Sequence, residues 1–120
     1  SANLVAFSAL TSEKLKERAI QPGDEVITVA AGFPTTVNPI LQFGAIPVFV
    51  DIDPKYLTID EAKIESAITN KTTAILATHV FGNPCNIRDI ARIAKKHNLK
   101  VIYDAAHCFG VKYNGKSIFE

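Results

Sequence analysis

Thr73 to Thr78 (TAILAT), Asn86 to Asn98 (NIRDIARIAKKHN) and Leu99 to Tyr103 (LKVIY) decide the fold class. The first and last are short, largely apolar runs, as in strands buried on both faces. Between them Ile87, Ile90, Ala91 and Ala94 recur at helical spacing. A strand, a helix and a second strand in that order make a parallel unit, because a chain returning parallel must cross over the sheet. The alternation extends toward the amino end. Glu25 to Ala30 and Pro47 to Asp51 are expected as two more strands, each covered on two faces, with Thr35 to Phe43 a helix between them despite Pro39. Before them, Asn3 to Leu10 is almost wholly apolar and is expected as a helix packed on all sides. Thr11 to Gln21 is a charged, helix-compatible stretch ended by Pro22-Gly23. Thr58-Ile59-Asp60-Glu61 has capping-box spacing ahead of an apolar stripe of Ala62, Ile64, Ala67 and Ile68. Tyr113-Asn114-Gly115-Lys116 signals a hairpin. The expected architecture is α/β, three αβα layers around a mainly parallel sheet, with residues 1–120 as one domain.

Composition agrees. A chain of 120 residues, 48% hydrophobic, can bury a core without a disulfide or metal. The net charge of +1 is too weak to gather nucleic acid or an anionic membrane surface, so neither is an expected partner. The uncharged run from Val26 to Val50 contains Gly32, Pro34, Pro39, Gly44 and Pro47, which would break a spanning helix repeatedly. Cys85 and Cys108, too few for a disulfide framework, point to a reducing cytoplasm. With no Met, a start inside a helix opening and an end just after a turn, the chain is expected to be a piece of a longer protein.

In parallel sheets the ligand site lies beyond the carboxyl ends of the strands. There stand Ala31-Gly32-Phe33-Pro34, Asp51-Ile52-Asp53, His79-Val80-Phe81-Gly82 and Asp104-Ala105-Ala106-His107. No glycine-rich dinucleotide or P-loop motif occurs. His79, Cys85, His107 and Cys108 have metal-ligand chemistry but no zinc spacing, since adjacent His107 and Cys108 would point apart on extended backbone. Two core cysteines and two polar strand-end histidines are the plainer account. Asp104 leaves a dry strand at the sheet's edge and needs a partner there. Most strand-end aspartates cap turns or pair with a surface base. The alternative is a cationic ligand atom such as a pyridinium nitrogen, which an adjacent carboxylate keeps protonated. Ala106, two residues on, would lie under such a ring, Phe33 could stack on its other face, and His107 could reach a ring oxygen. Ser1-Ala2-Asn3 opens a helix whose free N–H groups favour a phosphate, although a plain Ser N-cap serves equally well. Lys112 and Lys116 flank the hairpin as solvated charges.

These residues resemble the DegT/DnrJ/EryC1/StrS family of pyridoxal-phosphate-dependent sugar aminotransferases and their dehydratase relatives, which have the aspartate aminotransferase fold (fold type I). The resemblance runs over Ser1-Ala2-Asn3-Leu4, Pro22 to Ile27, Gly44 to Asp51, His79 to Pro84 and, most specifically, Tyr103-Asp104-Ala105-Ala106-His107. It implies that the chain is a fragment of the large cofactor-binding domain. Ser1 and Ala2 would hold the phosphate, Phe33 would stack on the ring, Asp104 would meet the ring nitrogen, Ala106 would back the ring, and His107 would lie near the ring hydroxyl. It further implies a nucleotide-linked keto-deoxysugar substrate, glutamate as amino donor, and a homodimer. Leu10 to Arg18 looks like an insertion relative to the shorter aminotransferases. Ala30 to Thr36 is similar to the CDP-sugar 3-dehydratase branch, in which histidine replaces the Schiff-base lysine. That residue would lie downstream of Glu120, so the piece alone is expected to be inactive. A small-molecule-binding α/β module without chemistry is the reading from a different class.

Overall fold

The computed structural model describes residues 2–119. Helix α1 (Ala2–Leu10) is followed by a 3-10 segment (Glu13–Arg18), strand β1 (Glu25–Val29), helix α2 (Pro34–Gln42) and strand β2 (Ile46–Val50). Then come α3 (Glu61–Ile64), a second 3-10 segment (Glu65–Ala67), β3 (Thr72–Thr78), α4 (Ile87–His97), β4 (Lys100–Asp104) and a hairpin of β5 (Lys112–Tyr113) and β6 (Lys116–Ser117). β1 to β4 form one parallel sheet in the order β2-β1-β3-β4.

Period-two alternation builds the three layers. Val26, Ala74 and Leu76 pack on one face with Phe7 of α1 and Ile40 of α2. Ile27, Val29, Ile75 and Ala77 pack on the other with Ile64 of α3 and Ile90 and Ile93 of α4. α4 is bounded as its sequence suggests: Asn86 Oδ1 accepts from the Asp89 N–H, and Asn98 closes the helix at φ 53°, a left-handed position asparagine tolerates.

Four expectations need correction. α1 is not packed all round: its buried residues are Asn3 and Phe7, four apart on one stripe, and Val5 is 69% exposed. β2 is an edge strand. Val48 and Val50 pack toward α3 and α4, but Phe49 on the opposite face is 50% exposed because α2 lies over the strands further in. The stretch after Thr11 forms a 3-10 segment with Lys16 at φ 52°, capped by Ser12. At α3 the cap is Asp60, whose side chain accepts from the Ala62 N–H, while Thr58 is buried.

The last turn of α4 is pinned by Glu65, which sits 2.8 Å from Lys96 Nζ and 2.9 Å from His97 Nε2. Lys96, then His97, holds the Glu65 carboxyl down at about 2 from an ordinary 4.5. A depressed carboxyl stabilises the fold above its unfolded value and loses that contribution as pH falls toward the folded one. Chemical-denaturation midpoints should therefore fall between about pH 4.5 and 2, and Glu65→Gln should remove that part of the slope. An unchanged slope in Glu65→Gln would refute the pairing.

Candidate functional site

The strand order places a crossover point between β1 and β3, where open parallel sheets carry their ligands. There the structure opens a largely apolar crevice of ≈ 250 Å³, walled by Gly32 and Phe33 after β1, by Thr78 at the end of β3, and by Val80 and Phe81 after it. A second, shallower hollow of ≈ 170 Å³ adjoins the start of α1, lined by Ala2, Asn3, Thr35, Asp104 and Ala106. Asp104 and Ala106 both line this hollow, but not through extended backbone: the chain turns after Asp104, whose Oδ1 caps the turn on the Ala106 N–H while the Ala105 carbonyl accepts from the Cys108 N–H. Phe33, 48% exposed, sets its ring edge-on to His107 with centroids 5.4 Å apart. Ser1 lies outside the described residues.

Asp104 is half-buried at the end of β4. Its Oδ1 accepts from the Ala106 N–H at 3.1 Å and its Oδ2 from Asn3 Nδ2 at 2.7 Å. Among the described residues it has no ion-pair partner. A carboxylate fixed by two neutral donors beside a cavity keeps unfilled acceptor capacity for a cationic atom placed there.

Asn3 is the residue that sequence reasoning missed. Its amide also reaches the Thr35 carbonyl at 3.4 Å. That carbonyl is free because the residue four places on is Pro39, which has no N–H to donate. The proline that disfavours α2 as a helix thereby leaves an acceptor for Asn3, and Asn3 ties α1, α2 and β4 together at Asp104. The signal available in sequence was a lone amide in an otherwise apolar helix.

Other expected members of the cluster stay outside it. Asp51 pairs with Lys63 at 3.2 Å, and Asp53 Oδ1 accepts from the backbone N–H groups of Lys55 and Tyr56, so both carboxylates are structural. His79 is 1% exposed, stacks on Tyr103 at 5.0 Å, and accepts the Cys85 N–H on Nδ1 at 3.0 Å. Burial lowers its pKa against the opposing charge of Asp104. Cys85 donates to the Thr78 carbonyl, and burial pushes its thiol up to about 12. Such a thiol is a poor metal ligand and a poor nucleophile. No group of three metal-ligating side chains forms among the described residues.

Fold and site together define an α/β domain with cavities at the strand ends. The chain belongs to the DegT/DnrJ/EryC1/StrS aminotransferase family, whose model matches residues 6–120. It is 55% identical, over 98% of its length, to the lipopolysaccharide biosynthesis protein RfbH of Salmonella typhimurium, of which it covers 27%. It is 47% identical, over 85% of its length, to the dTDP-4-amino-4,6-dideoxy-D-glucose transaminase of Escherichia coli, of which it covers 28%. The chain therefore spans little more than a quarter of either relative. Among solved structures, the E. coli GDP-4-keto-6-deoxy-D-mannose-3-dehydratase with bound hydrated pyridoxal phosphate superposes with a TM-score of 0.86. It is 36% identical, over 96% of this chain and 29% of that one. The family depends on pyridoxal phosphate, and the fold is part of the fold type I architecture. No helix is long and apolar enough to cross a membrane among the described residues.

Proposed function

We propose that these residues form the cofactor side of a cytoplasmic, homodimeric aminotransferase. It would move an amino group from glutamate to the keto carbon of a nucleotide-linked deoxysugar. The carrying observation is Asp104, a carboxylate with two neutral donors and, among the described residues, no cation, facing a hollow beside a helix start. Pyridoxal phosphate, when bound, supplies a ring that withdraws electrons and so stabilises negative charge developed at a substrate carbon. Asp104 would hold the proton on the ring nitrogen, Ala106 would leave room for the ring, Phe33 would cover its other face, and His107 would meet its oxygen. Ala2, with Ser1, would hold the phosphate at the start of α1, where free N–H groups and the helix dipole favour an anion. The donor set suits the cofactor, with an acceptor for a cationic nitrogen and a helix N-terminus in the hollow, and the aromatic face of Phe33 in the neighbouring crevice, so the ring would bridge the two. On the resemblance the family's anchoring lysine would lie outside these residues, which alone would then bind the cofactor without turning over.

Equilibrium titration of the chain with pyridoxal phosphate tests this. Saturable binding is expected, and Phe33→Ala should weaken it roughly threefold to tenfold through loss of the stacked face. Absence of saturation would leave only a non-catalytic module.

One observation favours a second reading within the family. At the same 47% identity, the match to a 3-dehydratase of Saccharopolyspora spinosa covers 97% of the chain and the match to the E. coli transaminase 85%, and Ala30 to Thr36 resembles the dehydratase branch. Mass spectrometry of the full-length protein's product separates the two, since amination adds nitrogen and dehydration removes the elements of water.

A further inference from the structure

We infer that the turn following β3 fixes which nitrogen of His107 carries its proton, making the backbone N–H of Phe81 the group that positions the imidazole's hydrogen. The pairing of Thr78 with Asp104 sets β3 and β4 in register, so the residues three places beyond each, Phe81 and His107, emerge side by side. The Asn83 N–H donates to the Val80 carbonyl at 2.8 Å, closing a two-residue turn in which Phe81 has φ 52° and Gly82 φ 82°. Glycine adopts that conformation freely, but a bulky L residue does so against steric resistance, so Phe81 requires a reason.

Its contacts supply one. The Phe81 N–H, turned outward by the positive φ, donates to His107 Nδ1 at 3.3 Å. The Phe81 ring lies nearly parallel to the imidazole, 14° and 5.6 Å away, while Phe33 meets it edge-on. A nitrogen that accepts an N–H bond carries no proton, so neutral His107 holds its hydrogen on Nε2 and presents a donor. The buried His79 shows the same arrangement, with Nδ1 accepting the Cys85 N–H. At His107, however, the nitrogen left over belongs to an exposed side chain beside Phe33 and Phe81, two walls of the crevice. The inference deepens the cofactor reading and rests on it in one respect: a donor is what an anionic ring oxygen requires.

Long-range 15N–1H NMR on the chain, above the ordinary imidazole titration range, reads the tautomer directly. The Nε2–H form is expected in the wild type and in Phe81→Gly, because glycine keeps both the N–H and the positive φ. Gly82→Val, a β-branched residue at φ 82°, should displace the turn and mix the tautomers. In His107→Ala, a change at an exposed position, the Phe81 amide loses its acceptor and should exchange with solvent about tenfold faster. A wild-type Nδ1–H form, or an unchanged Phe81 exchange rate in His107→Ala, overturns the inference.

The ligand arm uses pyridoxal phosphate and its 3-O-methyl ether. The parent should bind about tenfold more tightly, a preference kept by His107→Gln and lost in His107→Ala. Failure to bind either compound with the Nε2–H form intact would refute the cofactor reading alone. Binding with an Nδ1–H form would refute this inference alone.

Discussion

Asp104→Asn in the full-length protein should lower turnover by about two to three orders of magnitude, the scale on which one preorganised charged group acts. The substitution is nearly isosteric, so the loss would be electrostatic. An amide cannot offer a negative charge to a ring nitrogen, and the ring then withdraws electrons less strongly from the substrate carbon. The local network adds a second cost. Asp104 accepts on both oxygens, from Asn3 and from the Ala106 N–H. An amide has one oxygen and must turn its NH₂ toward one of those donors. If it faces Asn3, that side chain must flip to offer its own oxygen and give up the Thr35 carbonyl. Asn3→Ala keeps the charge and loses only the brace, so its effect should be smaller, about tenfold. A double-mutant cycle should show coupling between the two positions because they share a bond. Turnover within about threefold of wild type in Asp104→Asn would remove the carboxylate from the chemistry.

Much of this was legible in the sequence because parallel strands announce themselves. Val26-Ile27-Thr28-Val29 and Thr73 to Thr78 are apolar without alternation because helices cover both faces, and the residues that follow them are forced to one edge. Asp104 could be placed at that edge and Phe33 at the crevice, but the turn that follows Asp104 could not be read from the spacing of Asp104 and Ala106. The coverage of β2 was not legible, since an edge strand and an interior strand have the same apolar run and only strand order distinguishes them. Nor was Asn3, whose partners are 32 and 101 residues away in the chain and meet only when α1, α2 and β4 assemble. The Phe81 and His107 contact was implicit in the β3–β4 register, but that register follows from packing rather than from either strand by itself.

Phe7→Ala should cost about 3–5 kcal/mol, the range for deleting a large buried aromatic. Phe7 is 0% exposed, packs with Ile20, Val26, Ile40 and Leu76, and meets the Phe43 ring at 5.8 Å. Domains of this size are stable by only about 5–15 kcal/mol, so the variant would approach the edge of folding. The urea midpoint should drop with little change in slope, whereas exposed Val5→Ala should stay within about 0.5 kcal/mol. A loss below about 1 kcal/mol in Phe7→Ala would mean that α1 is held by something other than this ring. The functional consequence follows from helix geometry. Asn3 stands one turn before Phe7 on the same stripe, so the packing that seats the phenyl ring also aims the amide at Asp104. If α1 loosens, Asp104 Oδ2 loses its donor, and the end of the hollow proposed for the phosphate moves with Ala2. Pyridoxal phosphate affinity, measured where the variant is still folded, should therefore fall alongside stability, because a core residue and the proposed cofactor contacts are carried on a single helix of nine residues.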